Sequence, residues 1–140
     1  MIGALHSAEP IWVNGRPTSA GEIRTGDEAN VFGARGVGRA RVTRVVKGAG
    51  KGTVWLHGAS GAQIRCLWDQ RVAVNTGGRR RFRRASTIQP GDFIYGLVGG
   101  RLCIDPVVAV RSTVESVPAI ILELPAVSLL SKEGLLTRPS

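Results

Sequence analysis

Apolar residues fall in short runs along this chain, separated by turn-forming glycines. Runs such as Val31-Phe32, Val54-Trp55-Leu56, Ile64-Arg65-Cys66-Leu67, Ile94-Tyr95-Gly96-Leu97-Val98 and Ile120-Ile121-Leu122-Glu123-Leu124 have the length and β-branched content of strands. Helical periodicity is scarce. Ser19–Ile23 and Arg84–Ile88 have room for a single turn each, and the segment 126–133 reads either as a helix or as a loop followed by a strand. Gly48-Ala49-Gly50-Lys51-Gly52 reads as a flexible turn. The pattern predicts an all-β domain.

The strand pattern is duplicated. Glu22-Ile23-Arg24-Thr25-Gly26-Asp27-Glu28 returns as Thr87-Ile88-Gln89-Pro90-Gly91-Asp92-Phe93, with Ile-x-x-Gly-Asp in common. Glycine at such a point reaches a backbone conformation closed to other residues, and aspartate caps nearby amides. The flanks match as well. Val42-Thr43-Arg44-Val45-Val46-Lys47 follows the first turn as Val107-Val108-Ala109-Val110-Arg111 follows the second. Each half is then expected to close on a strand pair: Val54–Leu56 with Ile64–Leu67, and Ile120–Leu124 with Leu135-Leu136. Two equivalent units, about 4–75 and 76–140, are expected to pack about a pseudo-twofold axis in one domain spanning 1–140.

With 140 residues, 43% of them hydrophobic, the chain can fold without a disulfide or a metal and is not generally disordered. Charge changes the picture more. There are 16 Arg, 3 Lys and only 10 acidic residues, for a net charge of +9. An anionic partner fits this excess, although a genome rich in arginine codons produces the same composition. No apolar run reaches membrane-spanning length, and Met1-Ile2-Gly3-Ala4-Leu5-His6 lacks the form of a signal peptide, so cytoplasmic synthesis is expected.

Reactive side chains are sparse. Cys66 and Cys103 both lie in apolar stretches and read as buried free thiols. His6 and His57 have no companions at metal-ligand spacing, and His57 reads as an exposed turn residue. No cofactor or metal is expected. Gly33-Ala34-Arg35-Gly36-Val37-Gly38 lacks the Lys-Ser/Thr end of a phosphate loop. The sharpest polar feature is Arg79-Arg80-Arg81-Phe82-Arg83-Arg84, read as a loop of five arginines around one aromatic ring. Arg79, Arg80, Arg81, Arg83 and Arg84 can grip carboxylates or phosphates in a fork, and Phe82 can stack on a base. An acidic protein surface is the first partner expected, and nucleic acid the alternative. A solvated face is the plainer reading.

Laid end to end, these pieces resemble the Hint fold, shared by inteins and the autoprocessing domain of Hedgehog proteins, from about Ala4 to Ser140. Ala4-Leu5-His6-Ser7-Ala8-Glu9-Pro10-Ile11 fits the spacing of the opening intein block, in which the first residue is the nucleophile. Gly61–Val72 fits the block that carries Thr-x-x-His. Gly134-Leu135-Leu136-Thr137-Arg138-Pro139-Ser140 fits the closing block, which ends in Asn and a nucleophile. The resemblance implies a frame without its chemistry. Ala4 carries neither thiol nor hydroxyl. Leu67 and Gln70 stand where Thr and His would activate the first peptide bond, and neither transfers a proton near neutral pH. Arg138 and Pro139 stand where a His and the cyclising Asn would be. The expected function is therefore a non-enzymatic structural or interaction module, placed most easily in a bacteriophage-like particle as a capsid- or tail-associated component. One alternative is an autoprocessing domain, either inactivated or using Ser7 or Ser140. Another is a nucleic-acid-binding module acting through the arginine-rich segment.

Overall fold

The computed structural model describes residues 2–33, 36–98, 101–125, 129–130 and 136–138; at 2–3, 97–98, 129–130 and 136–138 the description covers the backbone. Its strands are β1 (Ile2–His6), β2 (Pro10–Val13), β3 (Arg16–Ser19), β4 (Glu28–Gly33), β5 (Gly36–Arg41), β6 (Arg44–Gly50), β7 (Thr53–Gly58) and β8 (Gln63–Leu67), followed by β9 (Arg71–Thr76), β10 (Arg79–Arg84), β11 (Phe93–Val98), β12 (Arg101–Thr113), β13 (Val117–Glu123), β14 (Leu129–Leu130) and β15 (Leu136–Arg138). Short 3-10 turns at Ala20–Glu22 and Ala85–Thr87 precede the two Gly-Asp turns, as the sequence predicts. All pairings among the described strands are antiparallel.

The duplication is exact enough to be followed bond by bond. Gly26 donates its N–H to Val42 O at 2.8 Å, and Gly91 donates to Val107 O at 2.9 Å. Val42 and Val107 return a bond to Asp27 O and Asp92 O, each at 2.8 Å. The carboxylates of Asp27 and Asp92 accept the N–H groups of Arg24 and Gln89 at 2.8 and 2.9 Å. Gly26 and Gly91 take φ of +94° and +96°, where a side chain is strained. These pairs all stand 65 residues apart. Upstream the displacement is 61: Glu9 N–H donates to His6 O as Gln70 N–H donates to Leu67 O. The hairpins that follow both turn through two residues of positive φ, Asn14-Gly15 and Gly77-Gly78. That backbone suits the right-handed twist of paired strands.

These equivalences move the division between the halves. β8, β9 and β10 are the counterparts of β1, β2 and β3, so the second repeat begins at Gln63, whereas a cut at 75/76 passes through the end of β9. The strands between the repeats are exchanged. β7 follows the first repeat but lies between β8 and β12 of the second. β13 follows the second repeat but lies between β1 and β6 of the first. Each half therefore completes the other's core. Ile120, Leu122 and Leu124 pack with Leu5, Ile11, Val13, Ala20, Ile23, Ala29, Ala40 and Val42. Val54 and Leu56 pack with Ile64, Cys66, Val72, Val74, Ala85, Ile88, Ile94 and Val107.

Three local expectations are corrected. Val54–Leu56 does pair with Ile64–Leu67, but Ile120–Leu124 does not pair with the chain end; Leu136 pairs with Leu130 instead, and Leu135 lies outside the described residues. Gly48–Gly50 belongs to β6, opposite β13, where strand pairing overrides the local flexibility of glycine. Arg79–Arg84 is not a loop. It is strand β10, paired with β9 residue for residue from Arg79↔Thr76 to Arg84↔Arg71. In the segment 126–133, Leu129–Leu130 is strand and the remainder lies outside the described residues.

Candidate functional site

Ala4 stands in β1 opposite Ile121, half-buried, with a methyl group as its side chain. Leu67 ends β8 and is buried. Gln70, three residues on, is also buried, and its Oε1 accepts the N–H of Leu67 at 3.1 Å. The main chain of Gln70 is tied as well, since its N–H donates to Leu67 O and its carbonyl accepts from Ala85 N–H at 2.8 Å. The amide side chain thus caps the turn between β8 and β9. At the chain end, β15 lies beside β9, with Arg138 opposite Arg71. This brings the Arg138 backbone next to the residue that follows Gln70. The Arg138 side chain, Pro139 and Ser140 lie outside the described residues.

Ser7 follows β1 directly. Its N–H donates to Pro118 O and its carbonyl accepts from Gly21 N–H. A Cβ on Gly21 would stand 3.2 Å from that of Ser7, so the serine is packed closely against the 3-10 turn.

His6 is the counterpart of Leu67 in the first repeat, and it is a titratable group to which the sequence assigns no role. It is buried at 8% exposure. Its Nδ1 accepts the N–H of Ala8 at 3.1 Å, which assigns the proton of the neutral ring to Nε2. Nε2 then donates to Thr53 Oγ1 at 3.1 Å, joining β1 to the exchanged strand β7. Burial, reinforced by the Arg65 guanidinium, lowers the His6 pKa, so the neutral form is favoured. This pair has the composition of a nucleophile and its base but the wrong proton arrangement. A base would need a bare Nε2, and the Ala8 amide holds the other tautomer in place. Nothing in the sequence marked His6 apart from His57, because the Thr53 contact spans two strands distant in the chain. His57 itself lies within β7 and is partly buried, rather than in an exposed turn.

Glu9 was equally unmarked. Its carboxylate is buried and accepts the N–H of Arg65 at 2.8 Å, linking the first turn to β8. It occupies the position that corresponds to Gln70 in the second repeat. Both cysteines are free, but only Cys66 is buried, where desolvation raises its thiol pKa. Cys103 is exposed in β12, although its neighbour Leu102 packs against the cluster of Ala73 and Tyr95.

The residues of the arginine-rich strand have different surroundings. The Arg80 guanidinium lies 5.3 Å from the centres of both the Phe32 and Tyr95 rings, so it clasps a strand of each half. Phe82 packs against the same small cluster of Ala73 and Tyr95. Arg83 meets Asp92 at 3.4 Å and donates to Thr87 O at 2.6 Å, which ties the strand to the second Gly-Asp turn. Arg79, Arg80, Arg81 and Arg84 are exposed.

With the geometry in place, the comparison with solved structures is direct. The TvoVMA intein superposes with a TM-score of 0.83 at 17% identity, covering 96% of each chain. The fold is settled by that superposition. This chain has the Hint fold. The DnaB intein from Synechocystis sp. PCC 6803 matches this Hint domain with a TM-score of 0.82 at 16% identity, over 99% of each chain. A splice-inactive variant of the AceL NrdHF class 3 split intein matches at 0.80 and 16%, over 98% of each chain. By sequence, the domain matches no family model and no curated relative.

Proposed function

We propose that this Hint domain does not process its own backbone through the positions inteins use, and that it serves as a non-enzymatic interaction module. The observation that carries this reading is the use made of Gln70. The side chain at the place of the activating histidine is buried and engaged in holding the β8–β9 turn. Ala4 and Leu67 offer no nucleophile or donor beside it, and the one buried imidazole, His6, holds its proton on the nitrogen a base would need free. Placement in a bacteriophage-like particle is a narrower form of the same proposal, tested by whether capsid or tail genes neighbour this one.

The likeness to inteins over nearly the full chain favours a second reading, autoprocessing through Ser7 or Ser140. One experiment separates the two. The domain is expressed between two stable flanking proteins, and the product is read by intact mass. A single full-length species over days, with and without added thiol, is the expected result. Spliced or cleaved products lost on Ser7→Ala or Ser140→Ala replacement would instead establish the second reading.

A further inference from the structure

The two repeats end their sheets differently. β3 and β10 are counterparts, each the outer strand of a two-residue hairpin, and among the described strands each pairs along one side only. β3 has four residues, one of them Pro17, which stands opposite Trp12. In such a hairpin the residues flanking the turn exchange hydrogen bonds, so the next residue points its main-chain groups outward. Pro17 occupies that place and removes an outward donor. The first edge is thus short and blunted, the usual protection of a sheet edge. β10 is longer by two residues, carries no proline and pairs without a bulge over its whole length.

What protects β10 is charge. Arg79, Arg80, Arg81 and Arg84 are exposed along it, Arg80 lying over the Phe32 and Tyr95 rings, while half-buried Arg83 is held by Asp92. A second copy laid against this edge would bring like charges face to face, in a chain already at +9. An acidic strand would meet no such penalty. It would gain main-chain hydrogen bonds from the edge and charge-assisted ones from the arginines. We propose that β10 is an acceptor edge for an extended acidic peptide segment of a partner protein, which adds to the sheet as a further strand. This rests on the reading of the domain as an interaction module and names how the partner is recognised.

The test uses a synthetic eight-residue peptide of alternating Glu and Thr, labelled at one end, with binding to the full chain followed by fluorescence anisotropy at low salt. The expected result is saturable binding, weakened at least tenfold by the triple replacement Arg79→Ser, Arg81→Ser and Arg84→Ser. These side chains are exposed, and an unchanged circular dichroism spectrum confirms that the variant folds. A peptide of the same sequence with its central four backbone nitrogens methylated should lose binding to a similar degree. Equal affinity for the methylated peptide would reduce the contact to unspecific charge attraction and overturn the proposal. So would tighter binding of a single-stranded oligonucleotide of equal charge, or arginine-dependent dimers in sedimentation. Autoprocessing seen in the intact-mass experiment would remove the wider reading while leaving the peptide result to stand or fall by itself.

Discussion

The two halves of this Hint domain share a backbone but spend their side chains differently. The first Gly-Asp turn is locked by a side-chain amide: Asn14 Nδ2 donates to Asp27 Oδ1 at 3.1 Å, and Asn14 Oδ1 accepts from Glu28 N–H. The second is locked by Arg83, reaching across from the lengthened hairpin to Asp92. At the junction the first half places His6, a hydrogen-bonding ring, and the second places Leu67. At the outer edge the first half has a four-residue strand with a proline and the second a six-residue strand of arginines. The comparison teaches that the repeat fixes geometry, while the two copies are free to diverge wherever a side chain does not serve the shared core.

The exchange of β7 and β13 should carry the largest effect on stability. Leu56 and Leu122 are counterparts, both 0% exposed, and each lies in the core of the repeat it does not follow in sequence. Leu56→Ala and Leu122→Ala should each cost about 2–5 kcal/mol. In chemical denaturation both variants should unfold in one transition, because each half lacks a core strand without the other. Two separated transitions would show that the exchange does not couple the halves.

Acid sensitivity should belong to the first half. His6 has a pKa lowered below its ordinary value of 6.5, so the unfolded chain binds the proton more readily. The stability tied to neutral His6 is complete above pH 6.5 and is lost as pH falls below it toward the folded pKa. His6→Leu, which copies the residue of the second half, should flatten the melting temperature between pH 7 and pH 5. A slope unchanged by that replacement would assign the effect to other groups.

The two turn aspartates provide a finer comparison. Asp27→Ala and Asp92→Ala each remove a side-chain acceptor from a main-chain N–H, at a cost of about 1 kcal/mol. Only the second should respond to salt. The Arg83–Asp92 pair is more than a third exposed on the arginine side and contributes less than about 1 kcal/mol after screening. Raising salt should therefore narrow the gap between wild type and Asp92→Ala while leaving that for Asp27→Ala nearly constant.

The thiols give the smallest effect on stability and a plain readout of packing. Cys103 should react with a disulfide reagent in the native protein within minutes, and Cys66 only once the chain unfolds. Two thiols reacting together in the native state would contradict the packing of β8.

Much of this architecture could be read from the chain alone. Ile-x-x-Gly-Asp, written twice, determined the two turns, since both glycines need a positive φ and each aspartate caps an amide three residues before it. Short apolar runs determined the strands, and the resemblance carried by the blocks around Ala4 and Gly61 determined the fold. Tertiary structure alone decided the rest. Which strand completes which core depends on pairings between residues as much as 121 positions apart, such as Ile2 with Glu123, and no local pattern encodes them. The same holds for His6 meeting Thr53, for the burial of Gln70, and for the arginine-rich segment being a strand rather than a loop, paired along one side among the described strands. Local sequence sets what a segment prefers, but packing decides what it touches, and the chemistry of a site resides in those contacts.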